Sequence, residues 1–120
     1  ESVTFSTLEK MLVHPDTELW MLCDGGRIIG IATLILMHKL SGISSQVEHV
    51  VVDQKYRGLG LDLLFGGIGQ TLVKKLTERA RARHAKRVVL TSRPARVAAN
   101  KLYQKLGFER KETNVYRFSL

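Results

Sequence analysis

A chain of 120 residues, 44% hydrophobic and 25% charged, has the make-up of one ordinary globular domain with enough apolar side chains for a core. Its single cysteine, Cys23, excludes an intramolecular disulfide and makes a reduced, cytoplasmic setting the expectation. The longest nearly apolar run, Ile28 to Met37, is too short for a membrane span, and the opening ESVTFSTLEK lacks the apolar stretch of a signal peptide.

The formal net charge of +8 fits a solvated basic helix face, attraction to a phosphate-rich small ligand, or nucleic acid. No aromatic residue interleaves the basic stretch from Lys74 to Arg87, which disfavours a single-strand nucleic-acid platform. Neither an internal repeat nor a low-complexity linker divides the chain, so residues 1–120 are read as a single domain.

In chain order, STLEKMLV (Ser6 to Val13) has Ser6 three residues before Glu9, a capping-box start that predicts a short helix closed by Pro15. ELWMLC (Glu18 to Cys23) reads as a strand, and Asp24–Gly26 as a tight hairpin turn into a long strand, RIIGIATLILMHKL. Gly30 marks a bulge position within it. SGISS is read as a loop and VEHVVVD (Val47 to Asp53) as a strand covered on both faces. From Gln70 the period changes. Leu72, Leu76 and Ala80 recur every four residues with Val73 beside them, predicting an amphipathic helix that ends near His84. RVVLTS reads as a short buried strand, and ARVAANKLYQKLGF as a helix with Pro94 at its start and Gly107 as its C-cap. TNVYRFSL alternates as a final strand. The order implies an α/β or α+β fold with a mixed sheet, its strand–helix–strand unit closing a parallel pair.

VEHVVVDQKYRGLG, then IGQTLVKKL, RVVLTS and AANKLYQKLGF resemble, in that order, the Gcn5-related N-acetyltransferase (GNAT) family over about residues 18 to 120. The resemblance implies a mixed, mostly antiparallel sheet flanked by helices, shortened here at its N-terminus. It also implies acyl transfer from acetyl-CoA, as co-substrate, to a primary amine of a small molecule or a protein, with no metal. Arg57, Gly58, Leu59 and Gly60 supply the first positions of the family's pyrophosphate motif, but Leu61 and Asp62 follow where a small residue is expected. Removing LDLLFGG (Leu61 to Gly67) restores the pattern as RGLG-IGQTL, so that stretch reads as a seven-residue insertion in the cofactor loop. Backbone N–H groups and a helix N-terminus must converge on the phosphates there, and glycines permit the close approach. Carrying the helix back through Gly66, Gly67 and Gly69 would cost about 2–3 kcal/mol relative to alanine. The helix is therefore expected to begin near Gly67 or Ile68, with Leu61–Phe65 a separate excursion.

By the same resemblance, Tyr103 is the acid for the departing CoA thiolate, and Asn100 contacts the CoA arm. The backbone of Val50, Val51 and Val52 pairs with the pantetheine arm, with Gly67 and Gly69 completing the phosphate loop. The resemblance makes Glu48 the base for the incoming ammonium, since an amine must lose its proton to attack; a strand-end salt bridge or hydrogen bond is the alternative reading of that residue. Simple alternation puts Glu48 and Val50 on one face and His49 and Val51 on the other. Arg93 and Arg96 either meet a ligand's anionic groups or are solvated. His14, His38 and His84 lack metal-ligand spacing. A missing first strand would leave the sheet edge open and, with the insertion, points to a homodimer or segment exchange. The alternative to an enzyme is a GNAT-fold protein whose cofactor loop is disrupted or engineered, serving as a binding or assembly module.

Overall fold

The computed structural model describes residues 3–7, 14–53 and 67–120. Five strands of these residues form one sheet in the order β1-β2-β3-β4-β5. They are β1 (Val3–Thr7), β2 (Thr17–Asp24), β3 (Arg27–Lys39), β4 (Gly42–Val52) and β5 (Val88–Val89). The first four run antiparallel to their neighbours, and β5 joins β4 in parallel. Helix α1 (Ile68–Ala82) crosses between β4 and β5, and α2 (Val97–Lys105) follows β5.

The β2–β3 hairpin closes where Asp24 pairs with Arg27. Gly25 (φ 57°) and Gly26 (φ 83°) both take the positive φ that a two-residue turn matching the strand twist requires. One residue of β3, Ile29, is extra between the pairs Leu22–Gly30 and Cys23–Ile28, so the bulge expected at Gly30 lies beside it. It lets Ile29 and Gly30 both turn inward. Thereafter Ala32, Leu34 and Leu36 are buried in alternation.

Across this face lies α1. Ile68, Leu72, Leu76 and Ala80 pack with Leu22, Ile29, Ala32, Leu34 and Val47 in one core. Leu72 and Leu76 are fully buried, and each burial is worth about 2 kcal/mol in transfer free energy. The helix begins at Ile68 behind Gly67, as its glycine content dictates, and ends at Ala82, with His84 (φ 66°) reversing the chain.

The far end of α1 is tied to β2 by charge. Glu18 is buried on the helix side of the sheet and accepts from Arg79 Nε (2.9 Å) and Nη2 (2.6 Å), Arg83 Nη1 (2.7 Å) and Trp20 Nε1 (2.8 Å). Burial alone would raise its pKa, but these donors outweigh it and hold the carboxyl at about 2. Lys75 and Arg79 also lie over the Trp20 ring, 5.1 and 5.6 Å from its centroid. Part of the basic helix face is thus structural.

Several expectations are corrected. Ser6 and Thr7, read as a helix start, lie in β1, where pairing with Met21 and Trp20 overrides the capping-box signature; residues 8–13 lie outside the described part. Because β1 covers β2, the strand read as ELWMLC is not a sheet edge. SGISS is not a loop: Gly42 (φ 117°) already pairs with Lys39, and β4 runs from there. Only Val88 and Val89 of RVVLTS pair as a strand. The second helix starts at Val97, not Pro94. TNVYRFSL forms no strand, because no described strand pairs with it; residues 109–120 are exposed.

Candidate active site

β4 and β5 meet only through Ser45–Val88 and Gln46–Val89. The junction is pinned by Ser45, whose N–H and Oγ both donate to the Arg87 carbonyl at 3.0 and 2.8 Å. Beyond Gln46 the two segments part, and no described strand flanks β4 on that side from Val47 to Val52.

Within the open half, β4 is bulged. Ile31 faces Val51 and Thr33 faces Glu48, so Ala32 alone stands opposite both His49 and Val50. His49 absorbs the extra residue with φ 56°, uncommon for a side chain other than glycine. The bulge shifts the alternation. Val47 lies in the core, and Val50 and Val52 pack against the same core, while His49 and Val51 are exposed. Glu48 and Val50 therefore lie on opposite faces, contrary to simple alternation. Glu48, half-buried, accepts a hydrogen bond from Gln46 Nε2 at 2.8 Å. Their spacing of two along a strand, which puts both side chains on one face, is the sequence signal for that partnership.

At the end of β4 three elements converge. A methyl group on Gly69 would sit 3.9 Å from Leu102 Cδ2 of α2 and 4.0 Å from Val52 Cγ2. The N-cap of α1 is Gly67 (φ 90°), which offers no side chain to the first-turn N–H groups. Such a terminus carries partial positive charge and suits an anion. Arg57, Gly58, Leu59, Gly60 and the stretch Leu61 to Gly66 lie outside the described residues.

Tyr103 stands one residue after Leu102, half-buried. The end of its helix is a Schellman motif: Phe108 N–H donates to the Tyr103 carbonyl (2.9 Å) and Gly107 N–H to that of Gln104 (3.1 Å). Gly107 (φ 101°) makes the reversal. It returns Phe108 to Tyr103, their rings edge to face at 6.1 Å between centroids. The spacing in LYQKLGF carries the signal for this ring contact. Asn100 turns its amide to the Arg93 carbonyl (3.0 Å), closing the turn that leads into α2. Arg93 and Arg96 are exposed.

The structure thus brings Val52, Gly69 and the Tyr103 helix together at one end of β4, with Glu48 four residues back along that strand. Among the described residues, no cluster of three or more His, Cys, Asp or Glu side chains could hold a metal ion. No described helix is long and apolar enough to cross a membrane.

Comparison with known proteins gives this arrangement its context. Over 90 residues, 72% of the chain, it is 36% identical to glucosamine 6-phosphate N-acetyltransferase of Trypanosoma brucei brucei, and it spans 54% of that protein's length. The crystal structure of a Trypanosoma brucei acetyltransferase superposes with a TM-score of 0.73 at 30% identity, covering 94% of this chain and 75% of the other. AAC(6')-Iy in complex with a bisubstrate analogue built on CoA shares the fold at a TM-score of 0.81 and 14% identity, covering 100% of this chain and 99% of the other. Residues 2–108 match the acetyltransferase (GNAT) family, whose members use acetyl-CoA, and the chain belongs to that family.

Proposed function

We propose that the chain is an acetyl-CoA-dependent N-acetyltransferase that moves an acetyl group to a primary amine by direct attack. The observation that carries this reading is the half of β4 beyond Gln46, bulged at His49 and flanked on that side by no described strand, which ends beside Gly69 in the first turn of α1. An extended amide-bearing arm fits beside a strand whose neighbour has departed. A pyrophosphate fits the first turn of α1, where Gly67 and Gly69 keep side chains out of the way.

In the reaction the acceptor arrives as an ammonium and must lose a proton. Glu48, at the bulge and oriented by Gln46, is the base that takes it, directly or through water. The freed amine attacks the thioester carbonyl carbon, forming the C–N bond; the C–S bond breaks, the sulfur departs as a thiolate, and the nitrogen gives its second proton to water to leave the neutral amide. Tyr103 donates its phenolic proton to that thiolate. A phenolic O–H can donate a proton to a departing thiolate. Phe108 and the Schellman turn hold the ring for this step.

The acceptor is a small amine or an exposed protein amine. Amino sugar phosphates are the first to try, because the 36%-identical relative is a glucosamine 6-phosphate N-acetyltransferase. The test is CoA release from acetyl-CoA across a panel of amines. Amine-dependent release supports the proposal; no turnover with any amine, together with no acetyl-CoA binding at millimolar concentration, refutes it.

A second reading rests on LDLLFGG within the cofactor loop. On it the chain keeps the fold as a binding or assembly module with little activity. A variant lacking Leu61–Gly67 separates the two: affinity for acetyl-CoA gained on deletion favours the module, and affinity already present in the intact chain favours the enzyme.

A further inference from the structure

The bulge in β4 turns two neighbouring ionisable side chains away from the core at one point. Val47 is buried, and Val50 and Val52 pack against the same core. Between them Glu48 is half-buried and His49 exposed, whereas an unbulged strand would send one of the two inward. The backbone does not call for an imidazole here. His49 has φ 56°, in the left-handed region that glycine occupies without a clash. Packing does not call for it either. The ring is exposed, and among the described residues no hydrogen bond or ion pair holds it. Its neighbours on β3 and β4, besides Glu48, are Ala32, Thr33, Val50 and Val51, so Glu48 is the titratable group beside it on these strands. Glu48 is already engaged by the Gln46 amide. One carboxylate can hold one proton, but the acceptor nitrogen gives up two, the first before attack and the second after it.

Resting on the N-acetyltransferase reading above, we propose that His49 takes up the second proton through water. After attack the nitrogen of the adduct is still cationic. Its N–H bond breaks toward an intervening water, that water passes a proton to the neutral imidazole, and the ring becomes imidazolium. Nothing is oxidised or reduced. Of the two protons then held on Glu48 and His49, one returns through solvent to the Tyr103 phenolate. The other leaves to bulk water, which the exposure of the ring permits.

Steady-state CoA release by the intact chain and by His49→Gly tests this. Glycine accepts φ 56°, so the variant removes the ring and keeps the bulge, as its circular dichroism and acetyl-CoA affinity should show. The expected kcat is lower by about tenfold or more with an unchanged KM for acetyl-CoA. Added imidazole is expected to restore much of that loss while leaving the intact chain unaffected. His49→Asn also tolerates a positive φ and should show the same fall. The ratio of intact to His49→Asn rates is expected to rise with pH across about 5–8, where an imidazole gives up its proton. Full kcat in either folded variant overturns the proposal. So does a loss in His49→Gly that imidazole does not restore, because a ring serving structure alone is missed in that way. If His49→Gly does not fold, the rate ratio decides, and a ratio flat in pH overturns the proposal. No turnover by the intact chain with any amine defeats the N-acetyltransferase reading itself; turnover indifferent to both substitutions defeats the assignment of His49 alone.

Discussion

Two side chains at the candidate site make separable demands on the chemistry. If Glu48 takes the ammonium proton, Glu48→Gln lowers kcat by about 10²–10³ with little change in the KM for acetyl-CoA. The loss should shrink as pH rises and more of the amine arrives uncharged. Tyr103→Phe should lower kcat by about tenfold or more while leaving Phe108 packed against the ring. Steady-state rates across pH with both variants check these expectations. Unchanged kcat for Glu48→Gln at neutral pH would remove Glu48 from the mechanism. Glu18 is a different kind of residue, buried and served by two guanidiniums and an indole. Removing it as Glu18→Ala leaves those donors unmatched and is expected to cost about 3 kcal/mol, read from chemical denaturation. Its folded-state pKa lies below the ordinary 4.5. Its contribution is therefore complete above about pH 4.5 and is lost as pH falls toward 2. The pH dependence of stability over that window should flatten in Glu18→Ala.

The strands and helices differ in how openly their sequences declare them. α1 was legible because its apolar positions repeat every four residues and its glycines forbid an earlier start. The β2–β3 hairpin was legible because two adjacent glycines match the turn its strands require. β1 was not, since Ser6 and Glu9 make a good capping box, and only the β2 edge beside them decides for strand. The bulge at His49 was hidden for a similar reason. No residue type marks it, and it appears only when the register of β4 against β3 is known. That single extra residue moved Val50 away from the face of Glu48. At the candidate site the strand and the tyrosine helix are legible in the sequence, the contacts of Glu48 with Gln46 and of Tyr103 with Phe108 are signalled there only by spacing, and the loop motif Arg57–Gly60 lies outside the described residues. The Schellman turn yields a direct test of the second contact. Gly107 has φ 101° with nothing within 4 Å of an added methyl group, so Gly107→Ala meets backbone strain alone. A loss of about 1 kcal/mol is expected. With the Tyr103–Phe108 contact loosened, kcat should fall more than KM rises. Full activity with reduced stability would show that the turn serves the helix and not the tyrosine.

The assembled chain depends on one core under α1 and one open end at β4 and β5. Leu72→Ala in that core is expected to cost about 2–5 kcal/mol, measured by urea denaturation, because Leu72 is completely buried between helix and sheet. The functional account depends on the other end, where the departing β5, the bulged β4 and the first turn of α1 are proposed to receive acetyl-CoA. LDLLFGG enters the chain beside that first turn, so cofactor affinity is the quantity on which the proposed enzyme and the proposed module divide. Calorimetric titration of the intact chain with acetyl-CoA is the most direct measurement. The account predicts saturable binding at one site per chain, at concentrations well below millimolar. Absence of heat up to millimolar acetyl-CoA, with binding appearing once Leu61–Gly67 is deleted, would contradict it.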